Sequence, residues 1–270
     1  MPDVEHLADG KLRLDRPADH VARLTIVNPS KRNALDHPIL DGIATTLRGD
    51  GLEGVRCLLL TGEGPTFSAG YDIGSLPREE FARAAEELVA HPFHDAIEAL
   101  EAFPFPVVAA LNGHAIGGGL ELALSCDLVV ATEDCVVGMP PAKLGLIYSH
   151  TGLRKFVDAV GAPRTRQLFH TGRNISARRA EAWGLVHEVV AGAELAGRGV
   201  ELASEVAANA PLALAGNKRI IRELLESRGA LDPDAERELI ALRESCFGSD
   251  DFFEGVRAFA EKRPAEWQGR

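Results

Sequence analysis

An apolar run that breaks into three consecutive glycines is the feature that most restricts how this chain can fold. Residues Pro106–Leu111 form the run, Asn112 and Gly113 follow as a turn, and Gly117–Gly119 precede a second apolar stretch, Leu120–Leu124. A short apolar run bounded by turn residues indicates a buried strand, and the stretch after the glycines indicates a helix. Because glycine has no Cβ atom, the backbone at the start of this helix is open to a ligand.

The start of this predicted helix combines an anion-binding backbone with a carboxylate. The first N–H groups of a helix have no partner within it and lie at the positive end of its dipole, where they can bind an anion or a carbonyl oxygen that becomes one. Glu121 lies three residues after Gly118, on the same helix face. Its apolar neighbours place it inside, where a carboxylate is costly unless it is paired, protonated or functional. The alternatives are tight strand–helix packing for the glycines and a solvated first-turn position for Glu121.

A second segment also leaves its backbone open at the end of a strand. Residues Val55–Gly62 indicate a buried strand, and the small residues Ser68, Ala69 and Gly70 follow within Thr66–Ile73. Two open backbone segments can supply the two donors of an oxyanion hole. The spacing of the two segments leaves open whether they converge.

The composition excludes several classes of function. With 46% hydrophobic and 26% charged residues in 270, the chain has the balance of a soluble globular protein. A net charge of −11 argues against a nucleic-acid surface, which needs clustered Lys and Arg. No signal-like or membrane-spanning stretch is found, so we predict a cytoplasmic protein. Four cysteines without CxxC spacing indicate reduced thiols rather than metal ligands or disulfides: Cys57, Cys126, Cys135 and Cys246.

Strands and helices alternate along the first part of the chain, and helices alone follow. Strands are predicted at Lys11–Arg16, Val21–Asn28, Cys57–Thr61, Val107–Leu111, Leu128–Ala131 and Val136–Gly138. Helices are predicted from Asp36 to Gly49, at Arg78–Phe103 with an interruption near His91–Pro92, at Gly118–Ser125, Thr151–Val160, Pro163–His170 and from Ser176 to Gly184, and then at Ala191–Asn209, Pro211–Ser227, Asp232–Phe247 and Ser249–Lys262. This order predicts an α/β core over residues 1–195 and a helical region over residues 196–270. Dinucleotide, P-loop, GxSxG and HExxH motifs do not occur in the sequence.

The chain resembles the crotonase (enoyl-CoA hydratase/isomerase) superfamily along nearly its whole length. The motifs that carry the resemblance follow in the family's order: Asn28–Pro29, Asn33–Leu35, Phe67–Ile73, Asn112–Gly113, Gly117–Glu121, Cys126–Leu128, Gly138–Pro141, Leu144–Gly145, Thr171–Gly172, Trp183–Val186 and Glu261–Pro264. The resemblance implies a spiral of ββα units with a C-terminal helical trimerisation region. It also implies an acyl-CoA thioester substrate, no metal, no cofactor apart from the substrate's coenzyme A, and assembly as a homotrimer or a dimer of trimers.

The resemblance also implies roles for particular residues. The backbone N–H groups of Tyr71 and Gly118 correspond to the pair that binds the thioester oxygen. Coenzyme A is expected against six residues of two segments: Lys31, Arg32, Ala34, Ala69, Asp72 and Ile73. Lys31 and Arg32 are candidates to meet its phosphates, and solvated charges are the alternative.

One position departs from the pattern of the family's hydratases. Those enzymes use two glutamates, of which the first is present as Glu121 and the second falls on Pro141, which can neither give nor take a proton. Glu121 would then be the single acid/base glutamate, helped by Tyr148, His150 or neither. A tyrosine packed in the core and an ordinary surface histidine are the alternatives. The run from Pro141 to Tyr148 resembles the methylmalonyl-CoA decarboxylases, although Tyr71 stands where they have a histidine.

Three functional hypotheses follow from the resemblance. The first is an enoyl-CoA hydratase-type lyase that stabilises a thioester enolate and uses Glu121. The second is a decarboxylase of a malonyl- or methylmalonyl-type CoA thioester that uses the same oxyanion hole with Tyr148. The third is a non-catalytic acyl-CoA- or RNA-binding relative, which the presence of Glu121 and the acidic charge both disfavour.

Overall fold

Eleven strands in two sheets organise the part of the chain described by the structure, a computed structural model covering residues 4–72, 92–228 and 231–269. The strands are β1 (Glu5–Leu7), β2 (Leu12–Ala18), β3 (Val21–Ile26), β4 (Cys57–Gly62), β5 (Thr66–Ser68), β6 (Val107–Leu111), β7 (His114–Ile116), β8 (Leu128–Thr132), β9 (Val136–Gly138), β10 (Ile175–Ser176) and β11 (Glu188–Val190). The described helices are α1 (His37–Arg48), α2 (His94–Ala102), α3 (Gly118–Leu124), α4 (His150–Thr171), α5 (Ala177–Trp183), α6 (Leu195–Ala207), α7 (Pro211–Ser227), α8 (Pro233–Phe247) and α9 (Asp250–Glu261). The predicted α/β class is confirmed.

The larger sheet is covered by helices on both faces. Its order is β1-β2-β3-β4-β6-β8-β11, antiparallel from β1 to β3 and parallel from there to β11. Leu58 and Leu60 of β4 pack with the buried residues of α1 and α2, and Leu59 packs with those of α6. Alternate side chains of a strand point to opposite faces, so a strand with two covered faces is apolar throughout. This explains the unbroken apolar runs that mark β4 and β6 in the sequence.

A smaller sheet of short strands positions the candidate site. Its order is β10-β9-β7-β5, and β5, β7 and β9 are parallel. The carboxyl ends of parallel neighbours lie at one edge of a sheet. The chain therefore brings Tyr71, which follows β5, the glycine triplet, which follows β7, and Pro141, which follows β9, to the same edge.

The long helices agree closely with the sequence-based predictions. Asp36 caps α1 through its side chain, and Ser176 caps α5 in the same way. The two helices predicted at 151–160 and 163–170 are confirmed: α4 consists of two helical segments that meet at Gly161, where the backbone is not helical and φ is +73°. Of the helix predicted over 78–103, the structure describes α2, and residues 73–91 lie outside the described ranges.

Helices follow the last described strand, and they contact the core in different ways. α6 packs on β4 and β6, whereas α7 is mainly exposed. Gly255 of α9 lies against the backbone of Leu144, so the C-terminal helices return to the segment between β9 and α4. The division of the chain near residue 195 stays a prediction. No helix within the described ranges is long and apolar enough to cross a membrane.

Lys218 fastens α7 to the core. Its buried ammonium group donates to the carbonyl oxygens of Leu100 and Phe105 at 3.1 and 3.0 Å and lies 2.9 Å from Asp127 Oδ2. A charge in this position is stabilised by three oxygen partners. Its removal would take this donor from the two buried carbonyl oxygens, whereas Asp127 Oδ2 would still accept from Val107 N–H at 2.7 Å.

We expect Lys218→Met to lower the free energy of unfolding by about 2 kcal/mol, because it removes the donor but keeps the apolar stem. Urea denaturation of both proteins measures the difference. Arg219→Met is the matched control, since the neighbouring Arg219 is exposed and, among the described residues, forms its ion pair with Glu223 on the same helix. Its effect should stay within about 0.5 kcal/mol. Equal losses in the two variants would contradict the anchoring role.

Candidate active site

The backbone after β5 and the backbone after β7 meet, which the sequence spacing left open. A Cβ atom added at Gly70, where φ is +90°, would lie 2.8 Å from the carbonyl oxygen of Ile116 and 3.1 Å from the nitrogen of Gly118. A Cβ at Gly119 would lie 2.5 Å from the carbonyl oxygen of Ser68. The two distances to carbonyl oxygens, 2.8 and 2.5 Å, are too short for a Cβ atom, so glycine is required on each side of the contact.

Two backbone N–H groups are left for a ligand at this contact. Leu35 N–H donates to Gly70 O at 2.8 Å, and Asp72 N–H donates to Leu35 O at 3.0 Å, so the residues on either side of Tyr71 are engaged with Leu35. The N–H of Tyr71 itself donates to no group in the described part of the chain. The same is true, within those ranges, of the N–H of Gly118, the first residue of α3. The two N–H groups can therefore bind a carbonyl oxygen or an anion.

Asn33 holds the loop between β3 and α1 against the β5 segment. It is fully buried in a left-handed conformation, with φ at 54°. Its Nδ2 donates to Thr66 O at 2.6 Å and to Glu63 O at 2.9 Å, and its own carbonyl accepts from Ser68 Oγ at 2.8 Å. The sequence analysis used Asn33 only as part of a motif and did not identify this positioning role.

Glu121 is buried on α3 and accepts a hydrogen bond from the hydroxyl of Tyr148. Burial raises the pKa of Glu121 from 4.5 to about 7, against the opposing effects of the Tyr148 hydrogen bond and of the Lys155 charge. The pKa of Tyr148 is held well above its usual range by burial and by the neighbouring Glu121. At neutral pH Glu121 can thus hold or release a proton while Tyr148 stays a donor.

The start of α4 closes over the carboxylate of Glu121. Ser149 caps this helix by accepting from Gly152 N–H at 3.1 Å. A Cβ at Gly152 would lie 3.0 Å from Glu121 Oε1 and 2.6 Å from the Tyr148 ring. Lys155, one turn further along, forms an ion pair with Glu101 of α2. The start of α4 therefore lies close to the Glu121 carboxylate and places the charge of Lys155 near it.

The side chain of Tyr71 adds a third hydroxyl or carboxyl group to the cluster formed by Glu121 and Tyr148. Its ring contacts Phe93 edge-on at 4.8 Å between centroids and lies beside Gly118, where a Cβ would be 3.1 Å from the ring. Burial and the Glu121 charge raise the pKa of the Tyr71 hydroxyl, and a hydrogen bond with Tyr148 acts in the opposite direction. The sequence analysis assigned a role only to the Tyr71 backbone, so this side-chain interaction is new.

His150, the first residue of α4, contacts Glu236 rather than Glu121 or Tyr148 in the described part of the chain. Its Nε2 lies 3.2 Å from Glu236 Oε1 of α8. The described contacts of His150 do not include Glu121 or Tyr148. Pro141, the position of the missing glutamate, is buried at the start of a short turn of 3-10 helix after β9.

The residues predicted to bind coenzyme A lie next to Tyr71 and differ in exposure. Lys31 Nζ pairs with Asp72 Oδ2 at 2.6 Å, and Arg32 is exposed with φ at 56°. Ala69 is exposed, and its N–H donates to Arg32 O at 3.0 Å. Ala34 is buried, and its carbonyl accepts from Asn28 Nδ2 at 3.0 Å. Ile73, the sixth predicted residue, lies outside the described residues.

In the described ranges, no group of three or more His, Cys, Asp or Glu side chains is arranged to hold a metal ion. The four cysteines are buried free thiols.

Comparison with known proteins agrees with the resemblance. The family model described as enoyl-CoA hydratase/isomerase matches residues 16–270. A protein of Bacillus subtilis (strain 168) named "Probable enoyl-CoA hydratase" is 36% identical over 254 residues, which cover 92% of this chain and 95% of that protein. The 2,3-dehydroadipyl-CoA hydratase of Escherichia coli (strain K12) is 31% identical over 251 residues, 93% of this chain and 96% of its own.

Solved structures with the same fold include a decarboxylase. Methylmalonyl-CoA decarboxylase in complex with 2S-carboxypropyl-CoA superimposes with a TM-score of 0.87 at 28% identity, over 96% of this chain and 98% of that one. The chain therefore belongs to the enoyl-CoA hydratase/isomerase family, the crotonase superfamily of enzymes that act on acyl-CoA thioesters.

Proposed function

We propose that this chain is an enoyl-CoA hydratase-type lyase in which Glu121 is the single acid/base residue. The observation that carries the proposal is the position of Glu121. Its carboxyl group is buried with a pKa of about 7, on the helix whose first N–H group is free to bind a ligand. An acid/base group with a pKa near the working pH transfers protons most effectively.

The N–H groups of Tyr71 and Gly118 bind the thioester oxygen in this proposal. When water attacks the β-carbon of the enoyl group, the electron pair of the double bond moves onto the thioester as an enolate. Donors aimed at that oxygen stabilise the developing charge, and each is worth about 3 kcal/mol. The contact between Gly70 and Gly118 supports the proposal because it fixes the two donors relative to each other.

Glu121 acts twice in the same turnover. In its ionised form it takes a proton from the attacking water, and the hydroxide forms the bond to the β-carbon. In its protonated form it returns that proton to the α-carbon of the enolate, so the net reaction adds one water. Tyr148 orients the carboxylate and, by donating to it, favours the ionised form that begins the cycle. The carboxyl group of Glu121 thus does the work of two glutamates, the second of which is replaced by Pro141 in this chain.

Coenzyme A binds beside Tyr71 in this proposal. The exposed segment around Lys31 and Arg32 supplies cations for its phosphates, and Ala69 and Asp72 line the approach. Ala34 contributes backbone, and Ile73 is included from the sequence alone. Because Lys31 already pairs with Asp72, a phosphate must compete with that carboxylate for the ammonium group.

A second candidate function is decarboxylation of a malonyl-type CoA thioester. The observation that favours it is Tyr148, whose hydroxyl lies inside the site in a fold shared with methylmalonyl-CoA decarboxylase. Loss of carbon dioxide leaves the same enolate at the Tyr71 and Gly118 donors and needs no second glutamate. This reaction predicts a damaging Tyr148→Phe change and a smaller effect at Glu121.

The pH dependence of hydration tests the role of Glu121. With crotonyl-CoA as substrate, kcat/KM should rise with pH and level off above an apparent pKa of about 7, because the cycle begins with the ionised carboxylate. Glu121→Gln should lose about 10²-fold or more in turnover and should lose this rise. Tyr148→Phe should move the rise to higher pH, since the Tyr148 hydrogen bond lowers the pKa of Glu121.

Glu98→Gln is the matched control for the pH experiment, because Glu98 is an exposed glutamate paired with Arg48. Its profile should equal that of the unmodified protein. Full hydration by Glu121→Gln would contradict the proposal. Carbon dioxide release from a malonyl-type thioester, without hydration of crotonyl-CoA, would favour the second candidate.

The thermal stability of the same variant tests the protonation of Glu121 without any assay of activity. Because the pKa of this acid is raised from 4.5 to about 7, its ionisation costs stability progressively as the pH rises between these values. The cost at pH 8 is on the order of 3 kcal/mol, and Glu121→Gln removes it. The Tm of Glu121→Gln relative to the unmodified protein should therefore be higher at pH 8 than at pH 5. A difference that does not change with pH would contradict a buried, titrating carboxylate.

We also propose that the chain assembles as a homotrimer or a dimer of trimers through its helical region, 196–270. Support comes from the apolar side chains that α7 exposes, of which Leu212, Ile220, Ile221 and Leu224 are more than half exposed. A contiguous exposed apolar face is typical of an interface.

Light scattering at micromolar concentration should give the mass of three or six chains. Ile221→Glu combined with Leu224→Glu should reduce that mass, because the substitutions place charges in the proposed interface. A mass of one chain for the unmodified protein would refute the assembly.

A further inference from the structure

Helix α8 lies across the segment that carries Tyr148. Near one end of the helix, Glu236 contacts His150 at 3.2 Å. Near the other end, Cys246 Sγ lies 2.7 Å from the carbonyl oxygen of Gly145 and accepts from Ile147 N–H at 3.3 Å. Tyr148 lies between these two contacts in the sequence, so α8 packs along the segment that carries the Tyr148 partner of Glu121.

Arg243 lies on the face of α8 that is turned toward this segment. It follows Glu236 by seven residues and precedes Cys246 by three, spacings that place all three residues on one helix face. The electrostatics of Tyr71 agree with this placement. Against the larger effect of burial, the charge of Arg243 lowers the pKa of the Tyr71 hydroxyl. Arg243 is thus close enough to Tyr71, which lies beside Gly118 and Tyr148, to influence its hydroxyl group.

The guanidinium of Arg243 has an unused donor. Its Nε is buried and has no hydrogen-bond partner, and no ion pair of Arg243 occurs among the residues that the structure describes. Three other arginines of α8, α9 and the tail pair with carboxylates: Arg237 with Asp234, and Arg257 and Arg263 with Glu254. A buried N–H without a partner is costly and uncommon in proteins. The position is therefore suited to an acceptor that arrives with a ligand.

We propose that Arg243 binds a second carboxylate on the acyl group, so that the substrate is the CoA thioester of a dicarboxylic acid. The planar guanidinium fork matches a carboxylate in two parallel hydrogen bonds. The phosphates of coenzyme A are assigned to Lys31 and Arg32, at the loop before α1, which leaves the acyl chain as the part of the substrate that reaches Arg243. This inference rests on the proposed function for the orientation of the thioester.

The carboxylate that Arg243 binds in this proposal is not lost in the reaction and remains in the product. A cation paired with a carboxylate that must leave as carbon dioxide would stabilise the ground state more than the transition state and slow the reaction. A carboxylate at the far end of the acyl chain suffers no such penalty, because its charge is the same before and after hydration. Arg243 is thus a specificity-determining residue for an enoyl thioester with a distal carboxylate, and its presence disfavours the decarboxylase candidate.

Calorimetry with two saturated thioesters tests this specificity independently of catalysis. Glutaryl-CoA and valeryl-CoA both have five-carbon acyl chains, differ in the terminal carboxylate, and cannot be hydrated. The unmodified protein should bind glutaryl-CoA about tenfold or more tighter than valeryl-CoA, the size expected for a charge-assisted hydrogen bond. General electrostatics would give the opposite preference, because the chain carries a net charge of −11.

Three variants complete the experiment. Arg243→Gln should abolish the preference and leave the affinity for valeryl-CoA unchanged, which also shows that the variant is folded. Arg243→Lys, which keeps the charge but not the fork, should retain only part of the preference. Arg237→Gln is the matched control on the exposed side of α8 and should retain all of it.

Two outcomes would overturn the proposal. One is equal affinity of the unmodified protein for both thioesters. The other is an equal loss of both affinities in Arg243→Gln, which would mean that Arg243 contacts coenzyme A or supports the fold. Neither outcome depends on hydration. A protein that prefers glutaryl-CoA but does not hydrate enoyl thioesters would keep this inference and refute the role of Glu121.

Discussion

The close contact between Gly70 and the start of α3 is the constraint on which the candidate site depends. Because β5 and β7 are parallel neighbours, the segments that follow them leave the sheet at the same edge, and only glycine allows their backbones to approach as they do. The approach leaves the N–H groups of Tyr71 and Gly118 without partners in the described chain. Asn33 holds the β5 segment in place through hydrogen bonds with Thr66 and Ser68. Donors held by backbone and by a buried amide need little reorganisation when charge develops on a bound oxygen.

The burial of Glu121 beside this contact destabilises its ionised form. Placing Glu121 on the first turn of α3 puts its carboxyl group inside the protein, where burial raises its pKa toward neutrality. The Tyr148 hydroxyl and the Lys155 charge reduce this cost without removing it, so the carboxyl group is held between its two protonation states. A fully paired carboxylate would be more stable and would not exchange protons near pH 7. In the proposed reaction, this incomplete compensation is what allows Glu121 to transfer protons near neutral pH.

The sequence predicted most of the long elements and only part of the site. Helices such as α1 and α5 have side-chain caps that are visible in the sequence, and β6 is an uninterrupted apolar run. β5, β7 and β10 have two or three residues each, which is too few for a periodic pattern, so the sheet that carries the site was largely missed. Glu121 was found because its neighbours are apolar. Its contact with Tyr148 joins residues 27 positions apart, and no spacing rule connects two such positions.

The proposed chemistry and the proposed specificity lie in different parts of the fold. The donors and Glu121 belong to the ends of parallel strands and to α3, where a small shift would separate groups that must act together. Arg243 belongs to α8, which is added over the site after the last strand and contacts it through Glu236 and Cys246. In the proposed arrangement a substitution at Arg243 changes which acyl group is accepted, whereas the oxyanion donors lie on the backbone after β5 and β7. The two proposals together thus place the substrate preference in the C-terminal helices and the enolate chemistry in the strand ends and α3.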